Sequence, residues 1–189
     1  MNESNDFALQ LARGIASRPE MRGAGTPRSV KKGGLAFKPG DDTSIFFVEH
    51  GLVKLCFIPR DGKEWIRSFV AAPGAFGKPF LQAPQEEGTF EAICLEACTF
   101  TVYPYDTLLR LGAAHPDLSR ISHDLIRTYA LEHERRWRNM LSLPAEAAYR
   151  EFLKDHPGLV DRLTQADIAR YLGITPVALS RIRGRMEPA

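Results

Sequence analysis

The chain has 189 residues, of which 44% are hydrophobic and 25% charged, and its formal net charge is +2. This length accommodates one large domain or two modest ones, and the composition is typical of a globular protein rather than a polycation. No apolar run approaches the roughly 18 residues of a membrane span, and the polar start Met1–Asp6 is unlike a secretory signal. We therefore expect a cytoplasmic protein with no membrane contact.

The first 34 residues are predicted to form a loosely packed leader. The Gly/Pro-rich segment 21–29 interrupts regular structure. A short amphipathic helix around residues 7–15 is compatible with the pattern.

Residues 35–115 are predicted to form a β domain. Its β-prone runs are Ile45–Val48, Leu52–Ile58, Trp65–Val70, Phe90–Leu95 and Thr99–Tyr103. Turn signals separate these runs, and Asp61-Gly62 between two of them is typical of a hairpin. Short strands at this rhythm predict an antiparallel sandwich or roll.

Catalytic and metal sites find little support in this region. The odd count of three cysteines, Cys56, Cys94 and Cys98, argues against a disulfide framework. A metal-dependent enzyme would need several histidines and a carboxylate inside the sandwich, and the β region offers only His50. We therefore predict no catalytic residues, no metal, no cofactor and no enzymatic activity.

The chain after Pro104 is predicted to be helical. A short helix carries Leu108, Leu109 and Leu111, and a long helix occupies residues 116–143. A seam along the long helix is expected to be a dimer contact, formed by Leu118, Ile121, Leu125, Thr128 and Glu132. The alternative is a helix that packs only on the β domain.

The last segment, residues 144–189, is predicted to contain a helix-turn-helix, which places a helix in the DNA major groove. Two short helices are joined at Gly173, where the turn favours a positive φ. Thr175 is a candidate N-cap for the second helix, and Pro176 fits its first turn. Ala169 lets the helices approach closely, and the buried positions are expected to be Ile168, Leu172, Ile174, Leu179 and Ile182.

The charge is uneven along the chain. Residues 161–185 contain five Arg and two Asp, a net charge of +3 within a nearly neutral protein. A local basic patch of this kind is typical of a specific DNA-binding protein. A solvated helix end would have the same charge, so the patch alone does not decide between the two.

Several motifs occur in an order that resembles the Crp/Fnr (cyclic-AMP-receptor and fumarate-nitrate regulator) family of bacterial transcription factors. They are Phe37–Gly40, Asp61–Glu64, Pro73–Gly77, Ile174–Pro176 and Leu179–Arg183. The resemblance covers residues 35–186 and implies an α+β protein with an antiparallel β-roll, a dimerisation helix and a C-terminal helix-turn-helix. It is nearest to a subgroup without the β wing, because no hairpin pattern lies between Asp155 and Thr164.

The nucleotide cassette departs from the pattern of the cyclic-nucleotide-binding members. Those members have a Gly-Glu pair and a later Arg, whereas here Lys78 follows Gly77 and the segment Glu86–Phe90 contains no Arg. Two carboxylates in place of a cation would repel a cyclic phosphate. We therefore expect control by cyclic AMP or GMP to be absent. If the roll takes another small molecule, its lining is expected to include Phe76, Gly77, Lys78 and Thr89.

The resemblance also assigns DNA contacts. Arg181 matches the base-reading arginine, suited to a bidentate grip on guanine. Val177 stands where many members have Glu, so the half-site should differ from the familiar one. The other expected contacts are Thr175, Ser180, Arg183, Arg185 and Arg170.

Two hypotheses for function remain after this comparison. The first is a dimeric regulator that reads a pseudo-palindromic duplex, with RNA polymerase and an unidentified effector as further candidate partners. The alternative is a β-roll that binds a ligand or protein while its C-terminal helices only pack. Packing alone does not require the outward face of the second helix to be basic, which favours the first.

Overall fold

The computed structural model describes residues 3–38, 41, 43–57, 64–77 and 90–186. An N-terminal helix precedes a β-roll, and helices follow to the end of the described chain. The helices are α1 Glu3–Ala16, α2 Tyr105–Ala114, α3 Pro116–Ser142, α4 Ala145–Asp155, α5 Gln165–Leu172 and α6 Pro176–Met186. The strands are β1 Thr26–Val30, β2 Leu35–Phe37, β3 Ser44–His50, β4 Leu52–Phe57, β5 Trp65–Ala71, β6 Gly74–Gly77, β7 Phe90–Cys94 and β8 Cys98–Pro104. The predicted α+β class is confirmed.

The roll consists of two four-stranded antiparallel sheets, ordered β1-β8-β3-β6 and β2-β7-β4-β5. Aromatic side chains fill the space between them: the rings of Phe46 and Phe76 stack at 4.9 Å and those of Phe37 and Phe90 at 5.0 Å. The edge of Phe100 meets the first pair. Burying each of these side chains contributes about 1.5–3 kcal/mol. The five predicted strands are confirmed as β3, β4, β5, β7 and β8, while Asp61-Gly62 lies outside the described residues.

The prediction of a loosely packed leader is wrong. The α1 side chains Ala8, Leu11 and Ile15 are buried against the roll and α3. Strand β1 pairs with β8 from Thr26 to Val30, although the segment is rich in Gly and Pro. It is an edge strand, where proline is tolerated because one side of the strand needs no ladder hydrogen bonds.

The family resemblance implies that Pro73–Gly77 is a loop leading into the nucleotide cassette, and this expectation is wrong. Residues 74–77 form β6, which pairs with β3 at the edge of its sheet. Two of its four residues are glycine, so the strand depends on its neighbour rather than on intrinsic propensity.

Helix α3 is the long helix that follows the roll, and its 27 residues span about 40 Å. The seam predicted to contact a second chain faces its own chain instead. Leu118, Leu125 and Thr128 are 2%, 0% and 6% exposed, and Ile121 packs against the same cluster, which includes α1 and the roll. The prediction of a dimer contact is therefore wrong for Leu118, Leu125 and Thr128, because their side chains are already covered. Glu132, the fifth residue of the seam, is half-buried.

The C-terminal part consists of helices and the turns that connect them. Residues 90–186 are all described, and none after Pro104 belongs to a strand, in agreement with the expected lack of a wing.

Cys56, Cys94 and Cys98 are buried free thiols. None of the helices among the described residues combines the length and apolarity that crossing a bilayer requires.

Candidate nucleic-acid interface

The turn between α5 and α6 has the predicted local chemistry. Gly173 lies in the left-handed region at φ 71°, and the amide of Ile174 donates to the carbonyl of Ala169 at 3.0 Å. This closes α5 with a glycine cap of the left-handed type. The hydroxyl of Thr175 accepts the amide of Ala178 at 3.1 Å, which confirms the predicted N-cap of α6.

The two helices are sealed against each other and against α4. Ile168, Ala169, Leu179 and Ile182 are buried, while Leu172 and Ile174 pack at the edge of the same cluster. Tyr149 and Phe152 of α4 complete this small core. The inner face of α6 thus packs against α5 and α4, and its outer face is exposed to solvent.

The outer face of α6 carries the residues expected to read bases. Val177 is 62% exposed, and Ser180 and Arg181 are exposed on the same side, three and four residues further on. An exposed valine at the start of a polar helix face has no packing role in this chain. The three side chains form one continuous surface of the kind that a recognition helix presents to a groove.

The arginines around this surface differ in their partners. Among the described residues, neither Arg181 nor Arg183 has a carboxylate within ion-pair distance, and Arg183 is half-buried. The guanidinium of Arg185 lies 3.5 Å from Glu146 of α4, and that of Arg170 lies 3.7 Å from Glu64 of the roll. Arg170 and Arg185 would therefore have to leave a carboxylate in order to contact a phosphate, whereas Arg181 has no carboxylate to leave among the described residues.

The helix pair is docked on the roll through contacts that the sequence did not single out. The ammonium of Lys54 on β4 lies 2.5 Å from Glu64 and 3.1 Å from Asp167 of α5. The guanidinium of Arg136 on α3 donates to the carbonyls of Ile66, Arg67 and Tyr171 at 2.7–2.9 Å. A lysine inside the apolar run Leu52–Cys56 was the available signal for the first contact.

The region expected to take a ligand is nearly filled where it is described. Phe76 and His133 are among the residues that line a cavity of about 20 Å³ beside α3, and the hydroxyl of Tyr129 donates across it to the carbonyl of Ala75 at 2.5 Å. That volume is about enough for one water molecule. Burial, with the charges of Arg67 and Arg136, lowers the pKa of His133 to about 4. Gly77 is buried in β6, and Lys78 and Thr89 lie outside the described residues.

An antiparallel roll followed by a long helix and a helix-turn-helix defines a class of proteins: regulators that join a sensor domain to a DNA reader. Residues 27–115 match the model of the cyclic nucleotide-binding domain. The chain is 27% identical over 174 residues to a probable transcriptional activator of Rhizobium leguminosarum bv. viciae, covering 84% of this chain and 70% of the relative. It is also 27% identical over 174 residues to the fumarate and nitrate reduction regulatory protein of Yersinia pestis, with 85% and 68% covered.

Solved structures agree on the fold. FixK2 from Bradyrhizobium japonicum superposes with a TM-score of 0.70 at 17% identity, covering 86% of this chain and 84% of that one. The chain is similar to regulators of the Crp/Fnr type, and it is a DNA-binding transcription regulator.

Proposed function

We propose that α6 enters the major groove and that Arg181 reads guanine while Val177 contacts a thymine methyl group. The observation that carries this proposal is the division of α6 into a sealed inner face and an exposed face of Val177, Ser180 and Arg181. Arginine matches the two acceptors of guanine, and an aliphatic side chain recognises only apolar groups at base edges. The half-site is thus expected to contain a guanine close to a thymine.

The remaining basic and hydroxyl groups hold the phosphate backbone in this proposal. Arg183 and Arg185 extend the basic side of α6, Thr175 lies at its N-terminus, and Arg170 joins once it releases Glu64. Each arginine that neutralises one phosphate steepens the dependence of log K on log salt by about 0.9. These contacts give affinity without sequence preference.

The protein binds as a homodimer, through a face of α3 other than the predicted seam. Ile126, Trp137, Met140 and Leu141 are exposed apolar side chains of α3 that lie outside the buried seam. At helical spacing they form one stripe, and such a stripe favours pairing with a second copy of α3. Two copies related by a two-fold axis match a pseudo-palindromic site.

Effector control remains a separate proposal. The cavity beside Phe76, Tyr129 and His133 measures about 20 Å³ among the described residues and is too small for a nucleotide, which favours DNA binding without cyclic AMP or GMP. Lys78 and Thr89 stay candidates for a different small molecule. We further propose the cytoplasm as the compartment and RNA polymerase as a partner, since a regulator of transcription works at the chromosome.

The experiment that tests the proposal is selection of sites from a random duplex library by ligand-free protein. Wild type is expected to enrich a two-fold-symmetric site. Arg181→Ala should enrich sites with one relaxed position in each half, because one bidentate contact is worth about 1–3 kcal/mol. Glu49→Ala, a change on the exposed end of β3, is the control and should select the wild-type site. An absence of enrichment by wild type contradicts the proposal.

A further inference from the structure

The outer face of β4 lies beneath the DNA-reading helix pair. Residues alternate between faces along a strand, so Val53 and Leu55 point into the roll while Leu52, Lys54 and Cys56 point outward. All three outward residues are nevertheless buried, at 0%, 8% and 0% exposed. The outward face of β4, which would be polar on an isolated roll, is therefore an interface with another part of the chain. A lysine buried in this interface needs partners for its charge.

Lys54 finds those partners on two different elements. Its ammonium lies 2.5 Å from Glu64, beside β5, and 3.1 Å from Asp167, near the start of α5. Burial on its own would lower the pKa of Lys54, but the two carboxylates outweigh it and hold that pKa above its ordinary value. Lys54 therefore stays charged, and the ion pair with the 5%-exposed Asp167 is shielded from solvent.

Asp167 links this ion pair to the N-terminus of α5. Its second carboxylate oxygen accepts the hydroxyl of Thr164 at 2.5 Å, and its amide donates back to that hydroxyl at 3.1 Å. Thr164 thus caps α5 through its hydroxyl, as in one half of a capping box, while the carboxylate of Asp167 accepts that hydroxyl rather than the Thr164 amide. The roll therefore holds the same carboxylate that organises the first turn of the helix.

The other end of α5 is held by α3. Arg136 donates to the carbonyl of Tyr171 at 2.7 Å and stacks over the Tyr171 ring at 4.1 Å. The same guanidinium donates to the carbonyls of Ile66 and Arg67 on β5 at 2.9 and 2.8 Å. Asp167 and Tyr171 are four residues apart, which separates the two attachment points by about 6 Å along the α5 axis. Because contacts at Asp167 and Tyr171 hold both ends of α5, the axis of this helix has a defined angle to the roll and to α3.

We propose that Lys54 and Arg136 are positioning residues that set the spacing between the two half-sites the dimer accepts. They touch no DNA; they fix the angle between the helix pair and α3, which in a dimer fixes the distance between the two recognition helices. Successive major grooves are about 34–36 Å apart, so this distance decides which operators fit. This inference rests on the dimeric function proposed above.

The test is a library in which two copies of the selected half-site are separated by different numbers of base pairs. Wild type is expected to prefer one separation. The double variant Lys54→Met with Asp167→Asn removes the ion pair between these two residues and keeps an oxygen for the Thr164 hydroxyl. Glu64 also loses its lysine, but its side chain is 23% exposed and still has Arg170 at 3.7 Å. The double variant should select the same half-site, yet its preference for the best separation should fall by about 5-fold or more, the usual range of energetic coupling.

Two controls separate positioning from stability. Lys54→Arg keeps the charge and should retain the wild-type separation. Glu96→Gln breaks the exposed pair that Glu96 forms with Arg162 at 2.8 Å between the same two parts of the molecule, and it should change nothing. If the double variant does not fold, Asp167→Asn alone takes its place.

The outcomes are distinguishable. A folded variant that keeps the wild-type separation overturns the positioning role. A variant that loses base preference within the half-site also overturns it, since the damage then lies in the reader itself. Failure of wild type to bind any half-site refutes the proposed DNA-reading mode, and this inference with it.

Discussion

Replacing Arg136 with Ala should destabilise the whole protein, because one side chain joins three elements. The change removes three hydrogen bonds of 2.7–2.9 Å from a charged donor and a stacked contact at 4.1 Å with Tyr171. Hydrogen bonds to charged groups contribute about 1.5–3 kcal/mol each. Part is recovered because the buried guanidinium no longer has to be desolvated, so we expect a net loss of about 3 kcal/mol.

The assay is urea unfolding followed by circular dichroism, with a thermal scan beside it. A loss of about 3 kcal/mol corresponds to a fall in Tm of about 6–12 °C for a chain of this size. Arg136→Lys should recover only part of the loss, because one ammonium cannot reach β5 and α5 with the same fork. Arg138→Ala, at an exposed position on the same helix, is the matched control and should stay within about 0.5 kcal/mol of wild type. Equal unfolding midpoints for the Arg136 and Arg138 variants would refute the reasoning.

Three further predictions concern the turn, acid stability and assembly. Gly173→Ala should cost about 1–2 kcal/mol in urea unfolding, since φ is 71° there, whereas Gly158→Ala, with no atom within 4 Å of the new Cβ and no positive φ, should not. The pKa of His133 is lowered to about 4, so its stabilising effect is complete above pH 6.5 and is lost as the pH falls towards 4. The free energy of unfolding should fall between pH 7 and pH 5 in wild type, and this fall should be about 1–2 kcal/mol smaller in His133→Asn, after discounting for partial exposure. An equal fall in the two proteins would contradict this origin. Trp137→Glu should shift sedimentation towards the monomer while Arg138→Glu does not, and an unchanged dimer would rule out the proposed stripe.

The sequence predicts those parts of this fold whose determinants are local. The cap at Thr175 and the left-handed Gly173 each act within a few residues, and both appear where expected. Strand β1 was not predicted because it is determined by its pairing with β8, whose residues lie 68 to 76 positions away in the chain.

The α3 seam illustrates a different limit. Periodicity indicated correctly that Leu118 and Leu125 lie on a face that must be covered, but it carries no information about what covers that face. Here α1 and the roll cover it, which moves the proposed dimer contact to Trp137 and its neighbours. The role of Arg136 could not be predicted for a related reason. Its partners are backbone carbonyls, which every residue has, so the sequence pattern does not indicate them.

The account is tested most directly by pairing the Arg181→Ala change with changes in the DNA. Binding of wild type and of Arg181→Ala would be measured at fixed salt on the selected duplex and on duplexes altered at each base pair in turn. We predict that the variant loses discrimination at one base pair in each half-site, by about 1–3 kcal/mol, and keeps it elsewhere. A uniform weakening at every base pair would mean that Arg181 only holds the backbone, and that α6 does not read sequence as proposed.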